Sequence, residues 1–223
     1  LTVLIALFFG FLQGLRHAFE PDHVVAVSTM LAEHRRPYER VRYALSWGIG
    51  HASTIACFGA ILMVARAEVS ARLEAAFEVA VSCMLIAVGA RALRRAHRSL
   101  REARHPLHDA GQELGPTPDP HRAHTLGALA MGMVHGLAGS GALTAFVVAR
   151  MPSVTTGVLV LLIFGMGATA GMSLLAGALG APLSQLLRRR WGAPGILAAT
   201  GSVSLVLGLL WIVPALARTS LLP

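Results

Sequence analysis

The sequence contains neither lysine nor asparagine. A nucleotide-binding P-loop sets a lysine on the phosphates, so ATP hydrolysis within this chain is excluded. Charge is scarce, at 13% of residues where a soluble domain carries roughly a quarter. Only two cysteines are present, Cys57 and Cys83, both in apolar stretches and neither with a C-x-x-C partner. A disulfide framework is thereby excluded, and a thiol relay is disfavoured. The zinc-protease pattern His-Glu-x-x-His is missing as well. No basic face interleaved with aromatics is found, which argues against a nucleic-acid partner.

What the chain has is apolar length. Hydrophobic residues make up 55% of it, gathered in runs over residues 2–31, 41–65, 77–93, 126–149, 154–179 and 194–216. A bilayer-spanning helix needs about 20 apolar residues. The expectation is an all-α integral membrane protein, a six-helix bundle embedded in the lipid bilayer. The first run lacks a basic start and exceeds the length of a signal-peptide core, so it is expected to stay in the mature protein.

All 19 basic residues are arginine, and their placement orients the bundle. Arg35, Arg36, Arg40 and Arg42, the series from Arg94 to Arg122, and Arg188 to Arg190 fall on one side. Arg66, Arg72, Arg150 and Arg218 fall on the other. The positive-inside rule then puts the basic connections in the cytoplasm and both termini outside, as in a multi-pass protein of a bacterial inner membrane. The +8 net charge is read as a topology signal.

The proline-rich polar stretch 97–124 divides the chain into a three-helix unit (1–96), a cytoplasmic linker carrying His97, His105, His108, His121 and His124, and a second three-helix unit (125–223). The units resemble each other. Gly14-Leu-Arg-His17 aligns with Gly132-Met-Val-His135, and Gly48-Ile-Gly50-His51 with Gly165-Met-Gly167-Ala168. With three crossings per unit, a repeat re-enters the membrane upside down, the inverted-repeat plan of many secondary transporters.

The chemistry concentrates in Arg16-His17-Ala-Phe-Glu20-Pro21-Asp22-His23. Ionisable groups at bilayer depth cost on the order of 2.5–3.5 kcal/mol each on insertion scales, so such a cluster implies a compensating partner. A divalent cation is one, because it attracts carboxylates and accepts neutral imidazole nitrogens. On a straight helix these side chains diverge. Pro21, lacking an N–H, is expected to distort the turn, gather the ligands and free the carbonyl of His17 as a further oxygen donor. His51, followed by Ser53 and Thr54 as sources of supporting hydrogen bonds, and His135 complete the candidate metal-ligating set: His17, Asp22, His23, His51 and His135. Nitrogen and oxygen donors without thiolate suit nickel, cobalt, zinc or copper(II). Met131, Met133, Met166 and Met172 are read as packing.

The pattern His17-x4-Asp22-His23, the Gly50-His51-x-Ser53-Thr54 element and the run Phe164-Gly-Met-Gly-Ala-Thr-Ala-Gly171-Met172-Ser resemble the nickel/cobalt transporter family and its shorter six-span relatives. Phe19-Glu20-Pro21 stands where small or acidic residues are usual, and the acidic residue that often follows the last run is missing after Met172. The resemblance implies a non-enzymatic transporter without a resident cofactor, carrying Ni2+ or Co2+ as substrate, with His17, Asp22, His23 and His51 on the metal's route. Two other readings stay open. One is a membrane-embedded metal-binding accessory protein. The other is an intramembrane hydrolase built on Gly139-Ser140-Gly141.

Overall fold

The computed structural model describes residues 2–31, 37–104, 120–138, 151, 153–187 and 192–221. Among them are seven helices: α1 (Thr2–His17), α2 (Pro21–Leu31), α3 (Pro37–Ala65), α4 (Ala71–Arg104), α5 (Pro120–Ala138), α6 (Val154–Leu187) and α7 (Gly192–Leu221). Four of them, α3, α4, α6 and α7, are long and apolar enough to cross a bilayer. The pair α1 and α2 makes a fifth candidate span if taken as one. The protein is a multi-pass helical membrane protein.

This differs from six continuous helices. The first expected span is two helices, bent by 55° at the break. The fourth contributes only the short apolar stretch Thr125–Leu137 of α5, and the remainder of the run 126–149 lies outside the described residues. The polar stretch is also more helical than its prolines suggested. α4 continues through His97 to Arg104, and α5 already begins at Pro120. His105 and His108 lie outside the described residues.

Lipid surroundings explain how hydroxyls are handled. Thr29, Ser46, Thr169, Ser173 and Thr200 each donate to the carbonyl four residues back on their own helix, at 2.8–2.9 Å. A hydroxyl bonded this way stays satisfied without water. Ser70 and Ser153 cap α4 and α6 by accepting the amides of Leu73 and Thr156.

α3 and α6 form the centre, running antiparallel. Their crossing is tight because Gly48 lies against Thr169 and Gly165 against Ala52. α1 packs on α6, α5 on α3, and α4 on α7. In lipid, such contacts rely on small residues that let backbones approach. Gly14 sits on the carbonyl of Phe164, and Gly132, its aligned counterpart, sits on the carbonyl of Trp47. Gly167 meets Phe11 and Leu15, while Gly50 meets the aligned Leu129 and Met133. Each contact therefore has a counterpart when the aligned segments are exchanged. The largest buried apolar cluster gathers around Trp47, Val27, Leu85, Ala168, Met172 and Ala176.

Candidate metal centre

The break between α1 and α2 is built from the carbonyls that end α1. The amides of Phe19 and Glu20 turn back to Arg16 and His17 at 2.9 and 3.0 Å, tightening the last turn to a three-residue step. Pro21 then opens α2, where its missing N–H costs nothing. Asp22 follows in the first turn of α2, where the positive end of the helix dipole favours a carboxylate. The expected distortion is thus present, with a correction. The carbonyl of His17 is not left unpaired by the proline, because the Glu20 amide donates to it.

The bend turns His17 and His23 toward each other, with ring centroids 4.5 Å apart. α3 brings His51 within 5.3 Å of His17 and 5.1 Å of His23. α5 brings His135 to 4.2 Å from His23 and 5.9 Å from His51. Gly136 makes the last approach possible, since it lies against the carbonyl of His51 and the side chain of Thr54. All five residues singled out in the sequence therefore meet in one place. His23, His51 and His135 are at most 2% exposed.

Within this cluster the donor atoms form two overlapping triplets, His17/His23/His51 and Asp22/His23/His135, each with ligand atoms within 4.8 Å of one another. The second is the tighter. His135 Nε2 is 2.9 Å from Asp22 Oδ2 and 3.3 Å from His23 Nδ1, and His23 Nδ1 is 3.2 Å from Asp22 Oδ1. With metal–ligand bonds of about 2.0–2.1 Å, neighbouring ligands stand roughly 2.9 Å apart in an octahedron and 3.4 Å in a tetrahedron. The second triplet already has that spacing.

Several buried nitrogens have no hydrogen-bond partner: His17 Nε2, His23 Nε2, both nitrogens of His51, and His135 Nδ1. An unsatisfied buried polar group costs about 1–3 kcal/mol, so the set strains a fold whose total stability is on the order of 5–15 kcal/mol. Neutral imidazole presents one lone pair and one N–H. A cation satisfies the lone pairs of several rings at once.

Other expectations fare differently. The hydroxyls of Ser53 and Thr54 do not support His51; they donate to the carbonyls of Ile49 and Gly50. His17 is held instead by Glu20, whose Oε2 is 3.0 Å from Nδ1. Met133 and Met166 are exposed, and Met172 lies in the core. Gly139-Ser140-Gly141 lies outside the described residues. Sequence reasoning missed Trp47, fully buried and stacked on His23 with planes 8° apart at 6.3 Å. Its signal was present: an aromatic four residues before His51, in a run otherwise lightened by glycine.

Beside Asp22 lies a cavity of about 340 Å³, lined also by Glu20, Glu78, Trp211, Pro214 and Arg218. Arg218 pairs with Glu78 across its rim.

The sequence model of the family described as cytochrome C biogenesis protein transmembrane region matches residues 5–211. The chain belongs to this family. This member of the cytochrome C biogenesis transmembrane-region family is also 30% identical over 210 residues to the urease accessory protein UreH of Bacillus sp. (strain TB-90), covering 93% of the present chain and 90% of the relative. No solved structure matches it. The chain's two thiols, Cys57 and Cys83, are free and exposed on α3 and α4 and belong to neither donor triplet.

Proposed function

We propose that the protein carries a divalent transition-metal ion, nickel or cobalt, across the membrane through the His17, Asp22, His23, His51 and His135 cluster. The reading rests above all on the set of buried, unpartnered imidazole nitrogens gathered around an already spaced carboxylate–imidazole triplet. The metal is cargo, and the protein acts as a non-enzymatic carrier.

Alternating access between two inverted three-helix repeats supplies the motion. Its support is the exchange of glycine contacts: Gly14 on Phe164 with Gly132 on Trp47, and Gly167 on Phe11 with Gly50 on Leu129. When residue i meets j and the equivalent of j meets the equivalent of i, the two units are related by a two-fold. With an odd number of crossings per unit, that axis lies in the membrane plane. With no nucleotide-binding lysine in this chain, the cycle draws on an ion gradient or on a partner's drive.

The deciding experiment is uptake of radioactive nickel and cobalt into liposomes holding the purified protein. The parent accumulates metal, and His17→Ala and Asp22→Asn accumulate far less. Equal flux in all three ends the proposal. The name of the relative favours a second reading, an accessory protein that binds metal without moving it. Tight binding by the parent with flux no greater than that of empty liposomes selects that reading.

A further inference from the structure

The two donor triplets share His23, whose ring offers a nitrogen on each of two edges. Nδ1 faces Asp22 at 3.2 Å and His135 at 3.3 Å. Nε2 is buried and unpartnered, which leaves it for the triplet with His17 and His51. His17 is in the same position, since Glu20 engages its Nδ1 and leaves Nε2. A neutral imidazole has only one lone pair, on the nitrogen without a proton. His23 therefore serves one triplet at a time.

Building on the transport reading above, the geometry points to a two-station route in which His23 hands a single metal ion from one triplet to the other by exchanging tautomers. The Asp22/His23/His135 station receives. It borders the cavity through Asp22, carries the negative charge that draws a cation, and already has ligand spacing. His17/His23/His51 is the inner station, formed of imidazoles alone. At the first station His23 ligates through Nδ1 and keeps its proton on Nε2. At the second it ligates through Nε2, and its Nδ1–H donates to Asp22 Oδ1. That carboxylate thus changes from ligand to the orienting partner a metal-bound histidine commonly has. Water takes the proton from Nε2 and supplies the one at Nδ1, so the charge of His23 is unchanged. Trp47, stacked on the His23 ring, keeps the imidazole plane fixed between the stations.

The test uses Co2+ with full-length protein in detergent, because the cobalt absorption spectrum reports donor type and coordination number. The parent is expected to bind one ion. His51→Gln and His51→Ala still bind, within about tenfold of the parent, and show an oxygen-containing spectrum. In liposomes their cobalt flux falls by about 10–100-fold, the loss typical when a metal's supporting set is broken. His135→Gln and His135→Ala bind with a nitrogen-dominated spectrum. His23→Ala loses both forms. The glutamine variants retain side-chain volume, so a folding defect confined to the alanine variants does not obscure the comparison.

If His51 and His135 substitutions weaken binding equally with the same spectral change, the cluster is one site and the hand-off is wrong. Two ions bound at once by the parent also overturn it, since His23 would then not be shared. No cobalt binding by the parent overturns the transport reading itself.

Discussion

The two aligned portions of the molecule share their packing but not their chemistry. Gly14 and Gly132 occupy equivalent positions and rest on equivalent carbonyls, those of Phe164 and Trp47. At the next aligned position of interest, His17 and His135 both reach the centre. The likeness stops there, because His51 is matched by Ala168, a fully buried residue whose amide lies against Gly14. The first portion supplies four of the five candidate ligands and the second supplies one. Scaffold symmetry is cheap to keep, since it asks only for small residues at crossings. Ligand symmetry is not needed, since one cation takes a limited number of donors.

Four measurements break or sharpen this comparison. The largest effect is that of acid. Each ring must be neutral to ligate. Moving from about pH 7.5 to about pH 5.5 is expected to weaken cobalt binding, since protons compete with the metal for the imidazole nitrogens. Equilibrium dialysis checks this, and binding that is flat across the range removes the histidines from the ligand set.

The next effect separates the two equivalent histidines. His17→Ala is expected to lower cobalt flux by about 10–100-fold while leaving an ion bound between Asp22, His23 and His135. A variant that loses binding altogether makes His17 and His135 equal partners of one site. The scaffold is tested by Gly14→Ala and Gly132→Ala, each of which drives a methyl group into a neighbouring backbone. Both are expected to destabilise by about 1–3 kcal/mol, in similar measure. Gly177, which faces open space, should gain up to about 1 kcal/mol as alanine. Thermal unfolding in detergent compares the three, and a marked inequality between Gly14 and Gly132 breaks the equivalence of the two crossings.

The smallest effect is expected at the cavity rim. Glu78 and Arg218 are 37% and 49% exposed, so Glu78→Gln should change stability by less than about 1 kcal/mol. A larger shift in the same unfolding experiment makes this ion pair a structural clamp between α4 and α7.

Much of the centre was legible because its residues were chemically out of place. His17, Asp22 and His23 in an apolar run announce a cluster, and alignment of the two portions brought in His135. Pro21 announced a distortion but not its form. The proline proved to be the first residue of a new helix, and the turn before it gave the carbonyl of His17 an amide donor. Ser53 and Thr54 misled because a hydroxyl beside a histidine in sequence has a nearer acceptor on its own helix. What could not be read was pairing at long range. Asp22 meets His135 from 113 positions away, and the cavity joins the break after α1 to residues near the start of α4 and the end of α7. No local pattern encodes those distances.

One contact bears on how such a bundle moves. Arg40, buried near the start of α3, donates through Nη1 to the carbonyl of Gly180 on α6 at 2.6 Å. Together with the glycine crossing farther along, this bolt fastens α3 to α6 at two heights, and a pair fastened twice resists tilting. In the transport reading the two repeats rock only as far as this bolt yields, which makes Arg40 a brake on the cycle.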